Sequence, residues 1–335
     1  MAQVNDHFGS KPGARSYRTL PVTVELGGYE ISLPVHYVCG NGEGPTLTLL
    51  STLHGGEWMS IEVLRRILTE VNPMRLRGSI LAVTVGNPVG LTHLVRNVPD
   101  GLDFPDVNRC FGSAVTTVAG LMARKITQEV LPRTDYLIDF HQVEWGAAVG
   151  IIIYGNTAPD PKTNERTDAL ARSFGFPMLR PGESTPGTVS AQAGVMGIPA
   201  IAAEIGGPGW GPEAEETWLN QNVTGVFNVL RGLSMIDGDP ILPEQYFYSG
   251  KRWRLGPSFG GYLHSNTGPE RLLTRVEKGE ELGRVLSMAS LEVLERIEAP
   301  AASLLTCIAR SYPVRPGGWA YGLAELDSLR IVRRS

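Results

Sequence analysis

At 335 residues the chain is long enough for about two domains of roughly 150 residues each, and 42% apolar content supplies a sizeable core. A formal net charge of −4, with no long block of one sign, argues against a general nucleic-acid binder. Forty glycines, 24 prolines and only 19% charged residues exclude a long-helix or disordered chain and predict short elements joined by many loops.

Residues 1 to about 18 are polar and read as a loose arm. From 22 to 37, apolar and polar residues alternate around Gly27 and Gly28, the pattern of two half-buried strands joined by a tight turn. Short apolar runs follow at 46–52, 79–85, 135–141, 150–154 and 199–205, each ended by polar residues or glycine, as in strands buried on both faces. After the first of these runs, Ile61, Leu64, Ile67, Leu68 and Val71 lie three or four apart, with Glu62, Arg65, Arg66 and Glu70 on the opposite face of a helix. A second helical rhythm spans 118–130 and stops before Pro132. Strands alternating with helices predict an α/β sheet flanked by helices, whose ligands gather beyond the carboxyl ends of the strands. Near 236–243 the periodicity breaks. The segments beyond are short, interrupted by glycine and rich in Val, Leu and Ile, which predicts a smaller all-β domain over 239–335 after a catalytic domain over 19–238.

Cys39, Cys110 and Cys307 are odd in number and lack C-x-x-C spacing, so buried reduced thiols are expected rather than disulfides or a zinc ribbon. The N-terminus has no apolar signal core and no apolar run approaches 18 residues, so the expectation is a soluble, cytoplasmic protein with no membrane partner.

The chemistry-bearing residues sit at strand ends. His54 and Glu57 flank Gly55 and Gly56 where the first buried run turns into a helix, and an imidazole and a carboxylate three positions apart there can face one metal ion. Alone, such a pair reads equally well as a surface histidine and a glutamate serving a helix N-terminus. His141 ends the run 135–141, with Asp139 two residues before it. Two histidines and one glutamate form a His₂Glu set that leaves one position of a tetrahedral zinc open for water, a catalytic rather than a structural arrangement. Asp139 falls on the same side as His141 if that strand is regular, where it would orient a ligand. Between these segments lie Asn87, Arg96, Asn108 and Arg109. The adjacent Asn108–Arg109 pair suits a substrate carboxylate. Glu204 ends the run 199–205, and an apolar setting there would raise its carboxyl toward the range of a general base.

Taken in order, H-G-x-E at 54–57, G-N-P at 86–88, an arginine, D-x-N-R-x-F at 106–111, D-F-H at 139–141 and E-I-G-G at 204–207 resemble the zinc carboxypeptidase superfamily, in its succinylglutamate desuccinylase and aspartoacylase branch. The resemblance covers roughly 45–210, and the end of the chain is similar to that branch's β-rich domain. It implies one zinc ion per chain on His54, Glu57 and His141, with Glu204 as the residue that activates water and hands its proton to the leaving amine. It further implies that Arg96 polarises the scissile carbonyl, beside a 97–105 loop longer than in shorter relatives, and that Asn108 and Arg109 hold the carboxylate of the amino-acid portion. Arg180 is a candidate for the family's contact with the acyl acid group. Tyr262, Tyr312 and Tyr321 are candidates for a site tyrosine from the second domain, and His264 for a further lining residue. A homodimer is implied at family level. Trp58, and the absence of a proline after Phe111, depart from the family pattern and bear on pocket shape.

The resulting expectation is zinc-dependent deacylation of a small N-acyl amino acid or related metabolite that carries a carboxylate. The alternative is a zinc carboxypeptidase acting on short peptides, which the same clamp would serve. A non-hydrolytic metal-binding module is the third reading, and the presence of Glu204 argues against it.

Overall fold

The computed structural model describes residues 11–99, 105–248 and 250–332. It opens with an antiparallel hairpin of β1 (Arg15–Val24) and β2 (Glu30–Cys39), turned at Gly28 with φ +82°. The hairpin thus begins earlier than its sequence pattern, and residues 15–18, expected in the arm, are strand. β1 is an edge strand that buries only Leu20, so its sequence is nearly as polar as an arm's. Residues 1–10 of that arm lie outside the described residues.

The apolar runs become β3 (Gly42–Leu50), β4 (Arg77–Val83), β5 (Tyr136–His141) and β6 (Gly146–Gly155). β7 (Met178–Gly182), too short and too rich in Pro and Gly to stand out, precedes β8 (Ala200–Gly206). Between them lie α1 (Met59–Glu70), α2 (Pro88–His93), α3 (Val118–Lys125), α4 (Pro161–Phe174) and α5 (Val189–Val195), and α6 (Pro212–Gly232) follows β8. The second helical rhythm is split: α3 passes into one π turn over Ile126–Val130 before the chain reaches Pro132.

β4, β3, β5 and β8 run parallel at the centre, β2 and β6 flank them antiparallel, and β7 then lies parallel to β6. One face of this sheet packs on α1, α4 and α6 through a core that includes Leu64, Ile67, Phe140, Phe174 and Val229. The other packs on α3 and α5 through Leu50, Leu81, Met122, Leu137 and Val189. The expected α/β sheet with helices on both faces is therefore present.

Beyond α6 the chain is all β: β9 (Tyr246–Tyr248), β10 (Arg252–Leu255), β11 (Gly261–Ser265), β12 (Arg275–Val276), β13 (Glu281–Leu286), β14 (Val293–Glu298), β15 (Ser303–Ala309), β16 (Tyr312–Val314), β17 (Tyr321–Glu325) and β18 (Leu329–Ile331). Four of these form their own sheet in the order β14-β13-β11-β16. The others extend the long sheet: β15 pairs antiparallel with β6, as at Cys307 and Ala148, and β9 lies parallel to β7. The three cysteines are buried and free. Among the described residues no helix is long and apolar enough to cross a membrane.

Phe140 shows how the central strand separates structure from chemistry. It is 1% exposed and faces Phe174, with ring centroids 6.5 Å apart, while its neighbours Asp139 and His141 point to the opposite face. Phe140→Ala should cost about 3–5 kcal/mol of stability through the cavity it leaves, read from the shift in a urea unfolding midpoint.

Candidate active site

His54 and Glu57 lie in the turn between β3 and α1. The bend is made at Thr52, whose φ of +58° is unusual for a β-branched residue and is held with the hydroxyl bonded to Ser51 at 2.8 Å. The glycines serve a different need. A Cβ on Gly55 would lie 1.9 Å from the carbonyl carbon of Gly90, and one on Gly56 would lie 2.0 Å from a carboxylate oxygen of Glu144. Neither has positive φ, so they allow close packing rather than the turn itself.

Glu57 stands at the centre. His54 Nδ1 is 2.8 Å from one of its oxygens and His141 Nδ1 is 2.8 Å from the other. All three side chains are buried, and their candidate ligand atoms lie within 4.8 Å of one another. The remaining imidazole nitrogens face carboxylates: His54 Nε2 is 3.0 Å from Asp106 and His141 Nε2 is 2.7 Å from Asp139. A carboxylate on Nε2 favours the proton there and leaves the Nδ1 lone pair available to a metal. The donor set therefore fits a divalent transition metal.

These charges are mutually dependent. Burial opposes ionisation of Glu57, yet the two imidazoles hold it well below the usual carboxylate range. Burial likewise disfavours the charged form of His141, but Asp139 and Glu57 outweigh it and push the imidazole well up. His54 moves in the same direction, burial being outweighed by Glu57 and Asp106. Asp106 is held down by His54 and the nearby arginines against its own burial.

Two residues that the sequence motifs contained without a role prove to organise this centre. Asp106 accepts from the backbone N–H of Asn108 at 2.8 Å with the oxygen that also faces His54. Gln142, next to His141, accepts the N–H of Met59 at 2.8 Å, so it caps α1, and donates to the Gly56 carbonyl at 3.3 Å. Its own N–H donates to Glu57 at 3.3 Å. Gln142 thus joins the two segments that carry the candidate ligands.

Arg96 donates to Glu57 at 3.0 Å and to Asp106 at 3.2 Å. Of the long loop expected at 97–105, residues 100–104 lie outside the described residues. Asn108 is 4% exposed, and its amide is engaged within the protein: it donates to Asp139 at 3.1 Å, lies 3.2 Å from His141 Nε2, and accepts from the Val189 N–H at 2.8 Å. Arg109 is exposed, donates to the Asn108 carbonyl at 2.7 Å, and lines the cavity. Asn87 caps α2 by accepting from the Gly90 N–H at 2.8 Å and donates to the Leu53 carbonyl at 3.3 Å, a structural duty.

The cavity beside the centre holds about 460 Å³. Its floor is written by sheet register. Asp139 on β5 is paired with Ala202 on β8, Ala202 with Ile153 on β6, and Ile153 with Arg180 on β7, so all four side chains share one face. Two residues further along, His141 is paired with Glu204. Glu204 opens onto the cavity; burial raises its carboxyl, Glu57's charge adds to that, and His141 opposes it. Arg180 also lines the cavity.

None of Tyr262, His264, Tyr312 and Tyr321 does. Tyr321 is buried with its hydroxyl bonded to Ser265 and the Leu282 carbonyl, both at 2.9 Å, and the other three lie on β11 or β16 in the separate four-stranded sheet. The tyrosine that reaches the cavity from beyond α6 is Tyr248 on β9, together with Arg252 on β10. No motif signalled them, because only the pairing of β9 with β7 brings this segment to the site.

Residues 43–233 match the family described as succinylglutamate desuccinylase/aspartoacylase catalytic domain. The chain belongs to that family. Among its relatives, the N-alpha-acetyl-L-2,4-diaminobutyric acid deacetylase of Halomonas elongata is 25% identical over 224 residues, covering 64% of this chain and 62% of that protein. The fold is shared with solved structures. An aspartoacylase family protein from Mesorhizobium loti MAFF303099 superposes with a TM-score of 0.78 at 24% identity, covering 97% of this chain and 96% of that one. The product-bound ectoine utilization protein EutE (DoeB) from Ruegeria pomeroyi gives 0.78 at 19% identity, covering 93% and 95%. The family is one of deacylases, as the sequence resemblance implied, and in this member His54, Glu57 and His141 are gathered in a buried cluster.

Replacing Asp139 by Asn keeps the size but removes the charge that orients His141. Its affinity for added Zn²⁺, read by competition with a chromophoric chelator, should fall by about 10–100-fold; an unchanged affinity would remove Asp139 from that role.

Proposed function

We propose that the protein is a zinc-dependent amidohydrolase that removes the acyl group from a small N-acyl amino acid or related metabolite carrying a carboxylate. The observation that carries this reading is the convergence of two imidazole Nδ1 atoms on the Glu57 carboxylate, with Glu204 paired to His141 on the adjoining strand. Kinship with a diaminobutyrate deacetylase supports the reaction class.

His54, Glu57 and His141 would hold one zinc ion, which when bound supplies Lewis acidity toward a water and an amide carbonyl. Glu204 has the position and environment of a proton carrier. Its carboxyl, raised by burial, accepts a proton from the attacking water and returns it to the nitrogen that leaves. Arg96, half-exposed at the cavity edge, is placed to donate to the oxygen on which negative charge develops, a contribution of about 3 kcal/mol for a well-aimed donor. Arg109 offers its exposed guanidinium to the substrate carboxylate. Asn108 we assign to positioning, since its amide holds His141 and Asp139 in place. A cavity of about 460 Å³, with one wall from β9 and β10, suits a small metabolite and favours deacylation over trimming of peptides.

Glu204→Gln should abolish turnover of N-acyl amino acids while stoichiometric zinc remains, as measured by metal analysis beside an amine-release assay. Retained turnover would overturn the assignment of Glu204. Screening N-acetyl, N-succinyl and N-formyl amino acids against dipeptides separates the deacylase from the carboxypeptidase reading. Removing metal with a chelator should abolish activity, and added Zn²⁺ should restore it.

A further inference from the structure

The turn that carries His54 and Glu57 rests on a buried relay of hydroxyls. Ser60 Oγ donates to the Glu57 carbonyl at 3.4 Å, Ser51 Oγ lies 2.6 Å from Ser60 Oγ, and Thr52 Oγ1 lies 2.8 Å from Ser51 Oγ. Each hydroxyl has one proton to give. Once Ser60 gives its own to Glu57, Ser51 must donate to Ser60 and Thr52 to Ser51. The relay thus runs one way, from the residue of positive φ to the backbone of a candidate metal ligand. The turn between them is closed by the Glu57 N–H, which donates to the His54 carbonyl at 3.0 Å. Its other end is tied where Asn87 donates to the Leu53 carbonyl at 3.3 Å.

Glycine is the residue that such a backbone position ordinarily takes. Thirteen glycines among the described residues have positive φ, and of the five other residues there, Leu94, Ser234, Leu273 and Leu291 are exposed or half-buried. Thr52 alone is both fully buried and β-branched, the combination for which φ +58° is least favourable. Its side chain brings a backbone strain that glycine would avoid, and what it adds is the donor that starts the relay. We propose that Thr52 is a positioning residue whose hydroxyl, acting through Ser51 and Ser60, fixes the Glu57 backbone and with it the approach of Glu57 and His54 to a metal ion. This rests on reading the His54, Glu57 and His141 cluster as a zinc site.

Three substitutions separate the hydroxyl from the strain. Thr52→Ser keeps the hydroxyl, Thr52→Val keeps the shape without it, and Thr52→Gly suits the backbone and folds without strain. Affinity for Zn²⁺, read by competition with a chromophoric chelator, should stay within about 3-fold of wild type in Thr52→Ser and fall about 10-fold or more in the other two. Ser60→Ala, which cuts the relay at α1, should weaken binding as they do. The visible absorption of the Co²⁺-loaded proteins, which reports ligand geometry, should change in the same three weakened variants. A purely structural role predicts another order, with Thr52→Gly equal to or tighter than wild type. That order, or full affinity in Ser60→Ala, overturns the inference and leaves the zinc reading standing. A second readout needs no metal. In metal-free protein labelled at the histidine nitrogens, the imidazole NMR signals of His54 and His141 should move in Thr52→Val and Thr52→Gly and stay in place in Thr52→Ser. If the wild type takes up no Zn²⁺, the zinc reading fails and those signals decide alone. Movement confined to the variants without the hydroxyl then upholds the positioning role of Thr52, and unchanged signals overturn it.

Discussion

A buried carboxylate flanked by two imidazoles is the constraint around which the rest of the molecule is arranged. Glu57 is 3% exposed, and a charge so placed is tolerated only if partners replace the water it has lost. His54 and His141 do so directly. They in turn require Asp106 and Asp139, and Asp139 requires Asn108. The partners come from three separate segments, so the turn after β3, the end of β5 and the 3₁₀ turn at Val107–Arg109 must meet with hydrogen-bond accuracy. The unusual backbone of Thr52, the two packed glycines and the Gln142 cap are all consequences of bringing those segments together.

The parallel sheet supplies the rigid frame for this network. At the carboxyl end of β5 the side chains alternate: Asp139 and His141 face the cavity, Ile138 and Phe140 the helices beneath. β8 follows the same rule, with Ala202 and Glu204 in the cavity and Ile201 and Ala203 in the core. Ala202 is small and lines the cavity floor. Its place in the pairing row puts a small side chain between Asp139 and Ile153 on the cavity floor.

What was legible in the sequence followed from local rules. Buried strands announced themselves as apolar runs, the amphipathic α1 by its spacing, and His54, Glu57, His141 and Glu204 by standing where those runs stop. What was not legible depended on distant pairing. Asp106 and Gln142 lay inside or beside known motifs, but their duties arise from contacts with His54 and Met59, 52 and 83 residues away in sequence. Tyr248 and Arg252 carry no motif at all, and only the pairing of β9 with β7 distinguishes Tyr248 from Tyr262, Tyr312 and Tyr321. The early edge of the first hairpin is hidden in the sequence for a related reason: an edge strand buries too little to alternate clearly.

The junction of β6 with β15 carries a consequence for how the molecule comes into being. β6 ends its pairing at Ala148 and Gly146 only when Cys307 and Ala309 arrive, some 160 residues later in synthesis. Until then the chain presents an apolar strand edge, the kind that invites pairing with other chains, and it must close its largest loop before that edge is sealed. The cavity wall that carries Tyr248 and Arg252 is made late, whereas His54, Glu57 and His141 lie in the first 141 residues. The nascent protein can thus gather its candidate metal ligands well before it owns a finished pocket.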